Sequence, residues 1–504
     1  VSYIGENAFK NCYNLQQAYI PNGKTNINNK AFSVYRKLTI NNSPYILDKN
    51  LSIEIYSSSG ASVENYCNLS NISFVSLDWD GKSRQAVLPI DNTYYVGSVA
   101  ELYWVLSHKS KASNVVISGI LNFNSHDMPR YGSYDSPYTS QGRINIISAE
   151  FNNTNSYNLN YWGTTKTIGL IDSAKFDELY IDGLSINNSY LSSAAVEKQC
   201  YGGLLFGYLK ISKIMVCKNI NINDCEVDTT EGICGGLFGC LYIDNNATAT
   251  ISRISTNYHL GGIVRYLESL STGGIVGQLI NYGEFNISHT DIKGKFEAIG
   301  GRDTVNQSHP GRVGGIIGDL SNSGIINAEY IETDFSAQTE GGHESTTHNI
   351  GVLAAYVYSN TGKVSIKDSK ANVIYISGYF KGFLGGYSKN LSVENSTLTV
   401  TIPNDVTFSR TNCDYITGFI VDNNHPYYST EQGILFSKNK GELIKYPNEL
   451  KQTSYVIPDS VSYLCSYSFV NSKNLKSISI PNNVTCISFN AFEGCTNLTD
   501  VYYE

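Results

Sequence analysis

Internal repetition is the feature that most limits what this chain can fold into. Two units near the N-terminus place Phe9 and Phe32 23 residues apart, and two near the C-terminus place Phe469 and Phe492 at the same distance. Each unit holds one short alternating strand and one bulky turn, which is too little to form a core alone. A period of this length therefore predicts a solenoid, in which each unit buries its apolar edge against the next.

The terminal units share the pattern I-x-x-x-A-F-x-x-C-x-x-L-x-x-I-x-I-P, which the run from Ile4 to Pro21 carries with Ala18 at one of the Ile positions. This pattern resembles the BspA-type leucine-rich repeat family. Residues 55–75 resemble the segment that closes a block of such repeats, and residues 424–447 resemble one that opens a block. The second N-terminal unit departs from the pattern after Leu38, so a distorted strand is expected there.

The middle of the chain repeats on a looser spacing. A glycine followed by two bulky apolar residues recurs 31 to 41 residues apart, at Gly203, Gly236, Gly274, Gly315, Gly351, Gly382 and Gly418. Alternating runs such as 219–223 and 398–402 lie between these glycines and predict half-buried strands. Loops of variable length between strands in register are typical of a parallel β-helix, and about nine or ten coils are expected.

Three of these glycine segments are longer and more regular. The runs Gly235–Gly239, Gly273–Gly277 and Gly314–Gly318 are similar to the GLUG motif of bacterial surface proteins. Glycines on both sides of an apolar pair permit sharp corners and close stacking of backbone between coils. We expect a mainly β fold with a leucine-rich block at 1–80, a parallel β-helix at 81–421 and a second leucine-rich block at 422–504.

A short helix is expected just before the first coil. Ser98 and Glu101 have the spacing of a capping box, and Leu102, Val105 and Leu106 follow on one helical face. Such a helix would cover the open end of the β-helix, whose unpaired backbone groups otherwise invite edge-to-edge association.

Composition argues against several classes of partner. The 36 basic and 44 acidic residues give a formal charge of −8 with no basic run, so nucleic acid is not an expected partner. No apolar stretch approaches the length of a membrane span. Because the chain begins at Val1, inside a repeat and without a signal peptide, we expect it to be part of a longer protein.

Eleven cysteines cannot all pair. Cys12 and Cys495 occupy equivalent repeat positions and are expected as small buried core residues. Cys234 and Cys240 could form a disulfide, but unpaired buried thiols are the favoured interpretation.

Catalysis finds little support in the sequence. Polysaccharide lyases and hydrolases built on β-helices need clustered carboxylates, whereas the acidic residues of the middle region are mostly single and no Asp-Asp pair occurs. His343, Glu344 and His348 lack the spacing of a zinc motif, and Asp244 and Asp422 begin Asp-Asn-Asn runs typical of turns. No catalytic, cofactor-binding or metal-binding residue is predicted. Three or more carboxylates converging in a groove would favour an enzyme instead.

Binding residues are easier to place. If Ala18, Ile20, Val501 and Tyr503 point inward, strand alternation puts Tyr19 and Tyr502 on the outward face of the terminal repeats. The segment 124–143 predicts a long loop whose rings could contact a sugar or a protein; it carries Tyr131, Tyr134 and Tyr138.

The resemblance to BspA-type proteins implies a function. Such proteins are cell-surface or secreted, and several are adhesins, so we expect a protein that binds host or microbial proteins or glycans. Two alternatives stay open: a carbohydrate-active enzyme on the β-helix, and a structural spacer.

Overall fold

Parallel strands dominate the structure, and short turns connect them. The computed structural model describes residues 3–9, 12, 15, 17–20, 25–28, 31–32, 35–36, 46–47, 54–57, 61–70, 73–76, 84–108, 113–123, 137–152, 155–159, 166–194, 200–229, 232–261, 270–299, 311–340, 349–377, 379–380, 382–385, 390–408 and 415–503. Neither helix in these residues is long and apolar enough to cross a membrane.

The N-terminal block contains seven short strands and one helix among its described residues. They are β1 Tyr3–Ile4, β2 Gln17–Tyr19, β3 Asn26–Ile27, β4 Tyr35–Arg36, β5 Ile46–Leu47, β6 Glu54–Ser57, α1 Ala61–Ser70 and β7 Ser73–Ser76. A parallel sheet runs in the order β2-β6-β7, and β1 pairs parallel with β3. β4 pairs antiparallel with β5. The distorted strand expected after Leu38 falls on residues 40–44, which lie outside the described residues.

The central region holds twenty-six strands and one helix among its described residues. They are β8 Thr93–Val96, α2 Val99–His108, β9 Asn114–Asn122, β10 Tyr138–Asn152, β11 Asn155–Leu159, β12 Lys166–Ile168, β13 Ile171–Asn187, β14 Tyr190–Ala194, β15 Cys200–Gly203, β16 Phe206–Thr229, β17 Gly232–Gly235, β18 Phe238–Ile243, β19 Thr248–Gly261, β20 Leu270–Gly273, β21 Val276–Asn281, β22 Glu284–Ile299, β23 Gly311–Gly314, β24 Ile317–Asn322, β25 Ile325–Glu340, β26 Asn349–Gly351, β27 Ala354–Asn360, β28 Lys363–Lys367, β29 Lys370–Ser377, β30 Tyr379–Phe380, β31 Leu391–Glu394, β32 Thr397–Ile402 and β33 Gly418–Val421.

These strands stack coil upon coil, which confirms the predicted parallel β-helix. One ladder runs in the order β12-β15-β17-β20-β23-β26-β30, and a second passes from β13 through β16, β19, β22 and β25 to β29. Each pairing between described strands of these ladders is parallel and joins a strand to its counterpart one coil later. Aromatic residues fill the interior in rows: Phe176 packs edge-on against Phe206, which stacks on Phe238, with ring centroids 5.7 and 6.1 Å apart.

The glycine corners owe their composition to close backbone packing. A Cβ on Gly273 or Gly314 would lie 2.0 or 1.7 Å from a backbone carbonyl oxygen, Val276 O or Ile317 O. No side chain fits there, because the neighbouring atoms are backbone and cannot move aside. The glycines therefore allow the corner through their size, as the sequence predicted.

The strand register shows that the glycines of the predicted series do not all occupy equivalent positions in their coils. Gly203 pairs with Gly235 and Gly314 pairs with Gly351, so Gly236, Gly274 and Gly315 form a separate, adjacent column. Gly418 lies in neither column, since it pairs with Thr399 between β32 and β33. A Cβ added to Gly418 would have Gly433 Cα as its nearest neighbour, at 3.7 Å. The motif Gly-Phe-Ile at 418 was therefore wrongly assigned to the corner series.

Helix α2 begins with the expected capping box. Glu101 Oε2 accepts hydrogen bonds from Gly97 N and Ser98 N at 2.8 and 3.1 Å, and Glu101 N donates to Ser98 Oγ at 3.3 Å. Leu102 and Val105 are buried in the same core as the first strands. The helix thus packs at the end of the β-helix.

Buried polar groups link successive coils. Asn281 Nδ2 donates to Asn322 Oδ1 at 2.8 Å, and Asn322 Nδ2 donates to Asn360 Oδ1 at 2.9 Å. Nearby, Arg312 Nη1 lies 3.2 Å from Asp319 Oδ2, and both side chains are almost fully buried. Burial raises the pKa of the Asp319 carboxyl above its ordinary value, against the attraction of Arg312.

The C-terminal block stacks onto the last coil. Its strands are β34 Tyr428–Glu431, β35 Ile434–Ser437, β36 Glu442–Lys445, β37 Ser454–Val456, β38 Tyr463–Leu464, β39 Ser477–Ile480, β40 Cys486–Ile487 and β41 Asp500–Tyr503. An antiparallel meander, β34-β35-β36, leads into the parallel ladders β36-β38-β40 and β37-β39-β41. Tyr446, Phe469 and Phe492 stack at 5.0 and 4.9 Å across successive units.

This block and the β-helix share a continuous core. Leu435 and Ile444 belong to the apolar cluster that runs through the coils. Ile416 N donates to Asn448 Oδ1 at 2.9 Å across the junction. His425 is fully buried there, with Nε2 2.9 Å from Pro403 O and Nδ1 accepting from two backbone N–H groups. The junction is therefore packed and hydrogen-bonded.

The cysteines only partly follow the prediction. Cys12 is exposed, because its turn, bonded to Phe9 O and Leu15 N, faces solvent; its placement in the core was wrong. Cys495 is half-buried against the Phe469 layer, where Sγ lies 3.0 Å from Phe469 O. Cys234 and Cys240 are both free and buried.

Candidate functional site

One broad flank of the β-helix presents columns of polar side chains to solvent. Alternation along β16, β19, β22, β25 and β29 buries every second residue and exposes the next. The register then stacks the exposed residues in columns; one reads Asn221, Ser255, Asp291, Glu332 and Lys370, and the next reads Asn223, Asn257, Lys293, Asp334 and Asn372. We call this flank the outer face.

A column of left-handed residues borders the outer face. The strand register places eight residues one above the other, each with a φ between 47 and 76°: Ser148, Gly183, Asn219, Arg253, His289, Tyr330, Asp368 and Asn395. We call this set the corner column. Glycine and asparagine adopt such a φ readily, whereas large side chains do so at a cost.

The middle of the corner column carries three large side chains in successive coils. They are Arg253, His289 and Tyr330, all exposed, and the rings of His289 and Tyr330 contact each other at a tilt, with centroids 4.8 Å apart and an interplanar angle of 31°. An open groove of about 570 Å³ lies beside them. Its polar lining comes from the adjoining column, through Asp291, Glu332 and Lys370, and from Asp368.

A second cluster lies further along the same strands. His259 Nε2 is 3.0 Å from Glu297 Oε2, and His259 Nδ1 is 3.7 Å from Glu226 Oε1. Lys295 also contacts Glu297. Asp228 pairs with Gly261 in the register and is close enough to His259 for the two charges to interact, so three carboxylates lie near one histidine.

The surroundings shift the pKa values of two of these carboxyls in opposite directions from their ordinary values. Burial raises the pKa of Asp228, and the nearby charge of Glu226 adds to the effect. Burial also opposes ionisation of Glu297, but hydrogen bonds from Lys295 and His259 outweigh it and lower its pKa. Among the described residues, no group of three His, Cys, Asp or Glu side chains is arranged to hold a metal ion.

Tyr502 is one of four exposed residues on strand β41. It is 58% exposed on β41, in a row with Ser479 and with Val456, which is 63% exposed. Val501 and Tyr503 were expected to point inward, but both are exposed, at 44% and 72%. Val501 stacks only on Ile478, so one of its sides stays open.

The other tyrosines predicted as contacts are spread over different parts of the chain. Tyr19 ends strand β2 and is paired in register with Tyr56. Tyr131 and Tyr134 lie outside the described residues. Tyr138 begins strand β10, so the expected loop is shorter at this end, and its ring packs edge-on against Phe176 at 6.3 Å. The structure therefore brings none of these described tyrosines to the outer face.

Comparison with known proteins gives a family for the two ends of the chain. The family model described as "BspA type Leucine rich repeat region" matches in six copies, within residues 1–77 and 445–504. Residues 1–77 and 445–504 are thus similar to BspA-type leucine-rich repeats. A solved leucine-rich repeat protein from Eubacterium ventriosum is 18% identical, with a TM-score of 0.22, over 37% of this chain. The chain spans 60% of the length of that protein. No curated protein matches.

The sequence did not reveal the corner column. Arg253, His289 and Tyr330 are 36 and 41 residues apart, in segments that read as ordinary strands. A left-handed conformation in histidine or tyrosine has no sequence signature, unlike the Asn-Gly pairs of turns. The available signals were the residues that favour this conformation at the same corner in other coils, namely Gly183, Asn219 and Asn395.

Proposed function

We propose that this chain is a cell-surface or secreted recognition protein that binds host or microbial proteins or glycans through the exposed flanks of its solenoid. The terminal blocks are of a repeat class that presents extended binding surfaces. The observation that carries the proposal is the run of exposed, left-handed Arg253, His289 and Tyr330. Strained backbone conformations are retained mainly where they position a functional side chain. These three residues lie beside an open groove.

Tyr502 and Val456 offer a second contact surface on the C-terminal block. Exposed tyrosine anchors are common at protein interfaces, and Val456 flanks the same row. Tyr19 occupies the corresponding position of the N-terminal sheet. We assign these rows to protein partners, and the division into blocks at 1–80, 81–421 and 422–504 separates them from the groove. The likeness of the centre to the GLUG motif supports the surface role.

The full chain tests this function directly. The protein is tested for binding to arrays of extracellular matrix proteins and of glycans. Variants with a substitution in one of the two surfaces are tested in parallel. We expect binding to at least one partner class, with a loss of tenfold or more in either Tyr330→Asn or Tyr502→Ser. Tyr282→Asn is the matched control, because Tyr282 is 44% exposed outside both surfaces. If no member of either array binds, the proposal is refuted.

The cluster around His259 supports a second candidate, a glycan hydrolase. Carboxyls with pKa values displaced in opposite directions, as for Asp228 and Glu297, suit general acid and general base roles. Incubation of the chain with polysaccharides and a reducing-end assay tests it. Release of reducing ends that disappears in Asp228→Asn and Glu297→Gln would support hydrolysis, and no release would exclude it for the substrates assayed.

A further inference from the structure

The groove beside the corner column has a lining that is unusual for a structural corner. Four successive coils contribute Arg253, His289, Tyr330 and Asp368 at the same position. Neighbouring coils fill that position with Gly183, Asn219 and Asn395. The backbone conformation of the corner therefore requires no side chain larger than asparagine.

The large residues cost folding energy that the fold recovers only in part. A left-handed conformation disfavours an ordinary side chain relative to glycine. The contact between the rings of His289 and Tyr330, with centroids 4.8 Å apart, offsets only part of this strain. Uncompensated strain of this kind is expected where side chains are held in position for a ligand.

The charges of the groove nearly balance. Arg253 and Lys370 are cationic, while Asp291, Glu332 and Asp368 are anionic, so the lining carries a net charge of −1. Lys293, which lies outside the lining, pairs with Asp291 at 2.7 Å between Nζ and Oδ2. Such a lining offers many hydrogen-bonding groups but little net charge, so it favours a neutral, hydroxyl-rich ligand over a polyanion or a polycation.

We infer that this groove binds a neutral oligosaccharide, with one sugar ring lying on the exposed face of Tyr330 and the glycan running along the solenoid axis. The exposed aromatic ledge suits the C–H face of a pyranose, and the carboxylates and cations beside it suit its hydroxyls. Coils are ~4.8 Å apart, similar to the length of one pyranose unit, so the four coils span about 14 Å, or about three sugars. The inference rests on the proposed recognition function and specifies its ligand.

Calorimetric titration of the full chain tests this inference with named probes. Neutral cellohexaose, xylohexaose, laminarihexaose and chitohexaose are compared with hexagalacturonic acid. We expect at least one neutral hexaose to bind, its trimer to keep most of the affinity, and Tyr330→Asn to weaken binding at least tenfold. Tyr282→Asn should bind like the unmodified protein. Because asparagine suits the left-handed corner, Tyr330→Asn should melt at or above the temperature of the unmodified protein, which separates a lost contact from lost folding.

Several results would overturn the inference. Binding only of the acidic hexaose, binding of no hexaose, or neutral binding unchanged in Tyr330→Asn would each refute it. If a protein from the matrix array binds and Tyr330→Asn abolishes that binding, the groove is a protein site; the recognition function then stands and the glycan assignment fails. If neither array binds, both fail.

Discussion

Replacing Gly314 with alanine tests whether close backbone packing explains the glycine corners. A Cβ there would lie 1.7 Å from Ile317 O and 2.6 Å from Ile317 C. The corner is also held between coils, since Gly314 O accepts from Gly274 N at 3.1 Å and Gly315 N donates to Gly351 O at 3.0 Å. The corner must therefore shift, and the hydrogen bonds between coils must shift with it.

The cost follows from these contacts. Overpacking costs about 1–3 kcal/mol, and each of the two strained hydrogen bonds adds about 1 kcal/mol. Alanine restricts the unfolded chain and returns about 0.4–1 kcal/mol. We expect a net local destabilisation of about 2–4 kcal/mol.

Hydrogen–deuterium exchange measures this change where it occurs. Peptides from β23 and β24 should exchange roughly 30- to 1000-fold faster in Gly314→Ala, since each 1.4 kcal/mol is a factor of ten. Gly418→Ala is the control, because its Cβ meets its nearest neighbour at an ordinary 3.7 Å. Peptides around it should stay within about threefold of the unmodified rate. Exchange of β23 and β24 within threefold in Gly314→Ala would refute the packing argument.

Three further predictions concern buried polar groups. Asn322→Ala removes two hydrogen bonds of the asparagine ladder and should lower the free energy of unfolding, measured by urea denaturation, by about 2–4 kcal/mol. A loss below about 1 kcal/mol would show that the ladder contributes little to stability. Arg312→Met leaves the Asp319 carboxylate buried without its cation and should lower the free energy of unfolding by about 3–5 kcal/mol. The double variant Arg312→Met with Asp319→Leu should recover most of this stability. Equal losses in the single and double variants would contradict the ion-pair explanation. The pKa of Glu297 is lowered because Lys295 and His259 outweigh its burial, so its stabilising effect is present above its ordinary pKa of 4.5 and is lost as the pH falls through the lower folded value. Glu297→Gln should therefore flatten melting temperature against pH below 4.5, and an unchanged slope would refute this.

Local pattern was sufficient for much of this architecture. The 23-residue spacing of Phe469 and Phe492 predicted the aromatic stack of the C-terminal block, and Ser98 with Glu101 predicted a real capping box. These features depend on residues a few positions apart or on a strict period, so neighbouring side chains along the chain decide them. Tyr502 is exposed, but so are Val501 and Tyr503, so alternation alone did not decide the faces of this last strand.

The candidate groove depended on the stacking of distant segments. Arg253, His289 and Tyr330 come together because loops of different length return each strand to the same register, and that register is set by contacts between coils. The same contacts separate Gly314, which has no room for a Cβ, from Gly418, which has room. The sequence thus determined that the chain winds into stacked coils with terminal leucine-rich blocks. Only the tertiary structure decided which side chains share a column, because the energy of that choice lies in packing between residues far apart in the chain.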